Sequence, residues 1–109
     1  LKVGRDYPGN VFRRIQSLAK RLKESGVLLA LVSKNNIEPV QKAFETLPDM
    51  VLRWEDFVVH KVDWNPKHQN IQAIASELNL GLDSFVFLDD NHLEREEVKH
   101  YLPQVQVLD

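Results

Sequence analysis

The chain has no cysteine, which removes disulfides, thiolate metal sites and a cysteine nucleophile from consideration within it. That fits a cytoplasmic setting, which is the expectation. Long hydrophobic runs are also missing: none approaches the roughly 18 residues a membrane span needs, and no secretory signal pattern opens the chain. Basic residues form no long block, and 14 Lys and Arg against 16 Asp and Glu leave a net charge of −2, so neither nucleic acid nor a membrane is an expected partner. Glycine is scarce at 4 residues, and no repeat or low-complexity tract appears. What remains is an ordinary globular composition, 43% hydrophobic and 28% charged, in 109 residues. That length allows one domain with a modest core. The chain opens on Leu1, and Lys2-Val3-Gly4-Arg5-Asp6 reads as the interior of something longer.

Helical and extended patterns alternate along the chain. Val11, Phe12, Ile15, Leu18, Ala19 and Leu22 fall on one helical face, with Pro8-Gly9-Asn10 as a start signal and Ser25-Gly26 as a stop. Val27 to Val32 is a continuous apolar run of the kind found in strands buried on both faces. Ser33-Lys34-Asn35-Asn36 ends it, and a helix follows with Pro39 in its first turn and Val40, Ala43, Phe44 and Leu47 inward. Pro48-Asp49 reads as a turn, Met50 to Leu52 as a short strand, and Phe57 to His60 as a second extended piece. Asn65-Pro66 should start a helix, the asparagine as cap and the proline at the first helical position. Its stripe is Ile71, Ile74, Ala75 and Leu78, and Gly81 marks its end. Ser84 to Leu88 is the next strand, Leu93 to Tyr101 a last short helix closed by Pro103, and Val105 to Leu108 an edge strand. Strands separated by helices of this length imply parallel pairing through right-handed crossovers, and so an α/β class.

Three motifs carry chemistry. Ser33-Lys34-Asn35 ends a buried strand, where a hydroxyl and backbone N–H groups can hold a phosphate oxygen. Taken alone, a turn that caps the next helix is the weightier reading. Lys67 sits in the first turn of a helix, at the positive end of its dipole, unfavourable by roughly 0.3–1 kcal/mol. A phosphate or a carboxylate pair would compensate it, although a solvated lysine could bear the penalty. Asp89-Asp90-Asn91 follows Phe85-Val86-Phe87-Leu88 directly. In open α/β sheets ligands bind beyond the carboxyl ends of strands, and two adjacent carboxylates repel unless a cation or proton sits between them. One acid would suffice to cap a helix; two favour magnesium, which takes one or two carboxylates plus substrate oxygens.

Other polar residues read more plainly. His60, His68, His92 and His100 show no zinc spacing and are expected at the surface or around a site. Trp54 and Trp64 are expected in the core or a pocket wall. Glu94, Arg95, Glu96, Glu97 and Lys99 look like a solvated helix face with local ion pairs.

In that order along the chain, a hydroxyl, a helix-start lysine and paired aspartates resemble the haloacid dehalogenase-like (HAD) superfamily. The resemblance narrows to subfamily IIIC, the FkbH-like proteins. Its similar stretches are Gly4 to Asn10, Val27 to Asn35, Pro48 to Arg53, Glu55-Asp56-Phe57, Trp64 to Lys67, Glu77 to Asn91 and Glu94-Arg95-Glu96. The resemblance implies a Rossmann-like three-layer core with a parallel sheet, residues 1–109 being its carboxy-terminal portion. It makes Ser33 and Lys67 catalytic, with Ser33, Lys34, Asn35 and Lys67 around the substrate phosphate. Asp89 and Asp90 would hold magnesium, and Asn91 would orient them. The departure is an Asp-x-Asp-x-Thr nucleophile segment: Asp6, Asp49, Asp56 and Asp63 do not fit it, so the central strand is expected before Leu1.

The implied chemistry is phosphoryl transfer through an aspartyl-phosphate, with a phosphorylated small molecule as substrate. FkbH-like proteins imply, more finely, loading of a glyceryl unit from a phosphorylated three-carbon acid onto an acyl carrier protein in polyketide biosynthesis. The alternative is a HAD-derived module without a nucleophile that docks a phosphorylated ligand or a carrier protein. A receiver domain of two-component signalling uses similar groups in the reverse order along the chain and does not fit.

Overall fold

The computed structural model describes residues 9–48 and 50–108, with side chains from Arg14 onward. Leu1 to Pro8 and Asp49 lie outside the described residues, and with them the Gly4-to-Asn10 stretch in large part, the Pro8 start signal and half of the Pro48-Asp49 turn. The side chains of Val11 and Phe12 lie outside them too.

The first helix, α1 (Gly9–Glu24), ends in a left-handed turn at Gly26, φ 96°. The Gly26 and Val27 N–H groups reach back to Lys23 and Leu22, an arrangement open to glycine because it lacks a Cβ. Strand β1 (Leu29–Lys34) follows, then α2 (Ile37–Thr46), a 3-10 turn (Trp54–Asp56), β2 (Phe57–Asp63) and α3 (Lys67–Leu78). A second 3-10 turn (Leu82–Ser84), β3 (Val86–Leu88), α4 (His92–Tyr101) and β4 (Gln106–Leu108) complete the order. β1 pairs parallel with β2, and β3 parallel with β4, as the helical crossovers require. No helix among the described residues is long and apolar enough to cross a membrane.

Side chains of β1 alternate between two apolar layers. Leu29 and Leu31 pack with Ala19, Val40, Leu52 and Phe57 on one face. Val32 packs on the other with Ile71, Ile74, Phe87, Val98, Leu102 and Val105. A bulge between Leu29 and Ala30 makes Val58 an extra residue in β2, so Phe57 and Val62 share a face despite their odd spacing.

Several sequence readings need correction. The apolar run is not buried throughout: Val27 and Leu28 precede the strand and are exposed, Ala30 is exposed, and Ser33 and Lys34 belong to the strand. Met50 to Leu52 is not a strand, because the Val51 and Leu52 N–H groups donate to Oε1 of the buried Gln16 rather than to a neighbouring strand. β2 runs through His60 to Asp63, further than its apolar residues suggested. Pro66, not Asn65, occupies the cap of α3. That helix ends at Asn79, whose left-handed backbone lets Leu80 bond back to Ala75, rather than at Gly81.

Candidate functional site

Three strands deliver their carboxyl ends to one rim. β1 and β2 end in register, Lys34 opposite Asp63, and Lys67 opens α3 just beyond β2. Lys67 Nζ donates to Asp89 Oδ2 at 2.6 Å, which brings the end of β3 to the same place. Lys34 Nζ lies 3.0 Å from Glu94 Oε1, so the end of β1 meets the first turn of α4.

Lys67 is buried because it occupies the core-facing stripe of its helix. Lys67, Asn70, Ile71, Ile74 and Ala75 are all buried, spaced as one face of an amphipathic helix. Asn70 Nδ2 donates to Asp63 Oδ1, which also accepts the Asn65 N–H. These bonds pin the β2–α3 turn. The Lys67 and Asp89 side chains are 4% and 1% exposed, a nearly dry ion pair. Dehydrating both charges is expensive, and removing either partner from such a pair typically costs about 3–5 kcal/mol.

The acid loop is held from several sides. The Asn91 N–H donates to Asp89 Oδ1, while the Asn91 side chain caps α4 by accepting from Leu93 and Glu94. Arg95 Nη1 donates to the Asp89 carbonyl at 2.9 Å. Burial works against ionisation of Asp89, but nearby positive charge, including Lys67, and the Asn91 N–H outweigh it and hold its carboxyl below the usual range. Asp90 goes the other way: burial, then the charge of Asp89, push its carboxyl up. Asp90 Oδ1 is buried, and among the described residues no hydrogen-bond donor reaches it. A dry, donor-free carboxylate oxygen beside an ionised carboxylate suits an oxygen-seeking cation. Among the described residues no group of three or more His, Cys, Asp or Glu forms a complete metal site, so these two acids would be part of a ligand set.

The remaining expected residues divide. Ser33 is buried, and by strand alternation it shares the face of Leu31. Lys34 points to the opposite face, where Glu94 and Glu97, at 3.0 and 3.8 Å, take its charge. Asn35 donates its N–H to the Asp63 carbonyl, and its side chain accepts from Asn36. The structure therefore joins Lys67, Asp89 and Asn91 directly, brings Ser33 and Asn35 to the same rim, and commits Lys34 to α4.

Two expectations about flanking residues hold only in part. Trp64 is 67% exposed, its Nε1–H donating to Asn36 Oδ1, so it is not core. Trp54 instead stacks on His60 at 3.8 Å. The α4 charges divide: Glu96 and Lys99 are exposed and pair locally at 3.0 Å, as expected, whereas Glu94, Arg95 and Glu97 are partly buried and Glu97 also pairs with His68. Sequence reasoning weighed Asp63 only as a nucleophile and passed over Asn70, yet the two pin the lysine turn. The available signal was Asn70 itself, a polar residue in register with the Ile71–Ile74 stripe.

Between β1 and β3 runs an apolar cleft of about 420 Å³, lined by residues of both strands including Ala30, Val32, Val86 and Leu88. Among the described residues β1 pairs only with β2 and β3 only with β4, so each has an edge without a strand partner.

The chain is similar to the crystal structure of the N-terminal part of the protein BF1531 from Bacteroides fragilis, which contains a phosphatase domain and was crystallised with Mg. The two are 41% identical with a TM-score of 0.84, over 98% of this chain and 29% of that one. The fold is that of part of a phosphatase domain. This agrees with the α/β class and the HAD-like architecture expected from the motifs. The chain spans less than a third of the matched chain's length. No family model matches it, and no curated protein does.

Proposed function

We propose that the chain is part of a magnesium-dependent phosphatase or phosphotransferase of the HAD superfamily, its 109 residues forming the carboxy-terminal portion of the catalytic core. One observation carries this reading: a buried Lys67–Asp89 pair beside the donor-free Oδ1 of Asp90, at the carboxyl ends of parallel strands. The likeness to a phosphatase domain crystallised with Mg supports it. Asp89 and Asp90 would hold magnesium, whose chemistry when bound is to draw charge from the phosphoryl oxygens. Asn91 would fix the loop that carries them.

The chain's own residues supply the rest of the phosphoryl pocket. Lys67 would neutralise charge developing on the equatorial oxygens, and burial makes that charge effective because little water screens it. Ser33 would hold one oxygen, with Asn35 shaping the turn beyond it. Lys34 is left out of the pocket, since two carboxylates already claim it.

The nucleophile would be an aspartate on a further strand seated between β1 and β3. Support for that placement comes from the two partnerless edges and the apolar cleft between them. A second aspartate two residues later would protonate the leaving group. The substrate class is a phosphorylated small molecule, met in the cytoplasm. FkbH-like subfamily IIIC membership, with glyceryl transfer to an acyl carrier protein, rests on the sequence stretches alone.

The test is hydrolysis of a generic phosphate ester by a complete protein that carries this chain with its nucleophile. Magnesium-dependent turnover is expected, falling by orders of magnitude in Asp89→Asn, whereas these 109 residues alone should show none. Unchanged turnover in Asp89→Asn would refute the metal assignment. Hydrolysis by the 109-residue chain alone would refute the missing-nucleophile reading.

A further inference from the structure

Lys34 is a cation at the rim of the candidate site, yet its geometry does not suit a phosphate ligand. It follows Ser33 in β1 and therefore projects to the opposite face of the strand. There its Nζ meets Glu94 Oε1 at 3.0 Å and Glu97 Oε2 at 3.8 Å. Its charge is thus balanced, and the hydrogen bond to Glu94 makes the Lys34 ammonium hold its proton more firmly than usual.

These carboxylates belong to the element that carries the acid loop. Glu94 lies in the first turn of α4, and its N–H is capped by the Asn91 side chain. The neighbouring Arg95 grips the Asp89 carbonyl. A pull on Glu94 is therefore transmitted through two short links to Asp89 and Asp90. Among the described residues no strand pairing joins β1 to β3, which belong to separate two-stranded ladders.

We propose that Lys34 is a positioning residue: through Glu94, with Glu97 behind it, it clasps the end of β1 to α4 and so sets the distance between Ser33 and the Asp89-Asp90 loop. The inference rests on the reading of those acids as magnesium ligands. Its action is indirect, since Lys34 touches neither metal nor phosphate in this scheme. The clasp explains why a lysine beside a phosphate-binding hydroxyl should spend its charge on a helix instead.

The test is paramagnetic broadening of backbone amide NMR signals by Mn²⁺, measured on a complete protein that carries this chain with its nucleophile. In the wild type, Mn²⁺ should broaden residues 89–91 and, less strongly, residues 33–35. In Lys34→Met the broadening at 33–35 should fall several-fold relative to that at 89–91, and Mn²⁺ affinity should weaken several-fold. Glu94→Gln should reproduce both changes from the other side of the clasp, and Lys34→Arg should restore the wild-type pattern. A merely stabilising lysine would leave the broadening ratio unmoved wherever the chain remains folded. An unchanged ratio in both Lys34→Met and Glu94→Gln overturns the clasp alone. Absence of selective broadening at 89–91 in the wild type overturns the metal reading, and the clasp with it.

Discussion

The two sides of the candidate site are built differently. On the β3–α4 side, polar groups fix one another: Lys67 bonds Asp89, Asn91 bonds both Asp89 and the start of α4, and Arg95 holds the Asp89 carbonyl. On the β1–α2 side the rim is held through backbone and asparagine contacts, as at Asn35, Asn36 and Trp64, together with the partly exposed Lys34 ion pairs to α4. The first side has buried charge to stabilise; the second does not. A buried carboxylate such as Asp89 must be held by partners, because an uncompensated charge in a dry setting is costly. A hydroxyl such as Ser33 imposes no such requirement.

That contrast can be broken most severely at Lys67. Lys67→Met keeps the stem's bulk but removes the Lys67 charge from the buried Asp89 carboxylate. Urea denaturation should show a loss of about 3–5 kcal/mol, much of it recovered when Asp89→Leu is added. A small loss for the single change would mean that water reaches the pair. The sign of the pH dependence follows from the depressed carboxyl of Asp89. Its stabilising contribution is present above the unfolded carboxylate value, near 4, and is lost as pH falls through the folded value.

Asn91→Ala is the finer probe. It removes the side chain that accepts from Leu93 and Glu94 but spares the Asn91 N–H bond to Asp89. The expected cost is about 1 kcal/mol, typical of a lost helix cap. A substitution such as Asn36→Ala on the other side should cost less, since Asn36 makes no side-chain cap bond to its helix. Equal losses at the two caps would erase the distinction between the two sides.

Much of the layering was legible in periodicity. The Ile71, Ile74, Ala75 and Leu78 stripe shows its buried face directly, because apolar spacing is a local property, whereas the unbroken Phe85-to-Leu88 run does not single out Phe87 as its buried residue. The end of α3 was not legible, since asparagine at a left-handed position competes with a glycine two residues later, and only the backbone says which is used. The missing strand at Met50 to Leu52 depended on Gln16, more than 30 residues away in sequence. The site followed the same rule. Paired acids after an apolar strand and a lysine against the helix dipole are local oddities, visible without coordinates. Partners of long side chains are not: Glu94, Arg95 and Glu97 have the spacing of a solvated face, and only the fold turns them toward Lys34, Asp89 and His68.

Diffraction at the manganese absorption edge, on Mn²⁺-soaked crystals of a complete protein that carries this chain with its nucleophile, addresses the shared-ion assignment most directly. An anomalous peak in contact with Asp90 Oδ1 and beside Asp89, lost in Asp90→Asn crystals that keep the fold, is the expected result. Fully occupied Mn²⁺ bound only elsewhere, with Asp90 Oδ1 untouched, would contradict it.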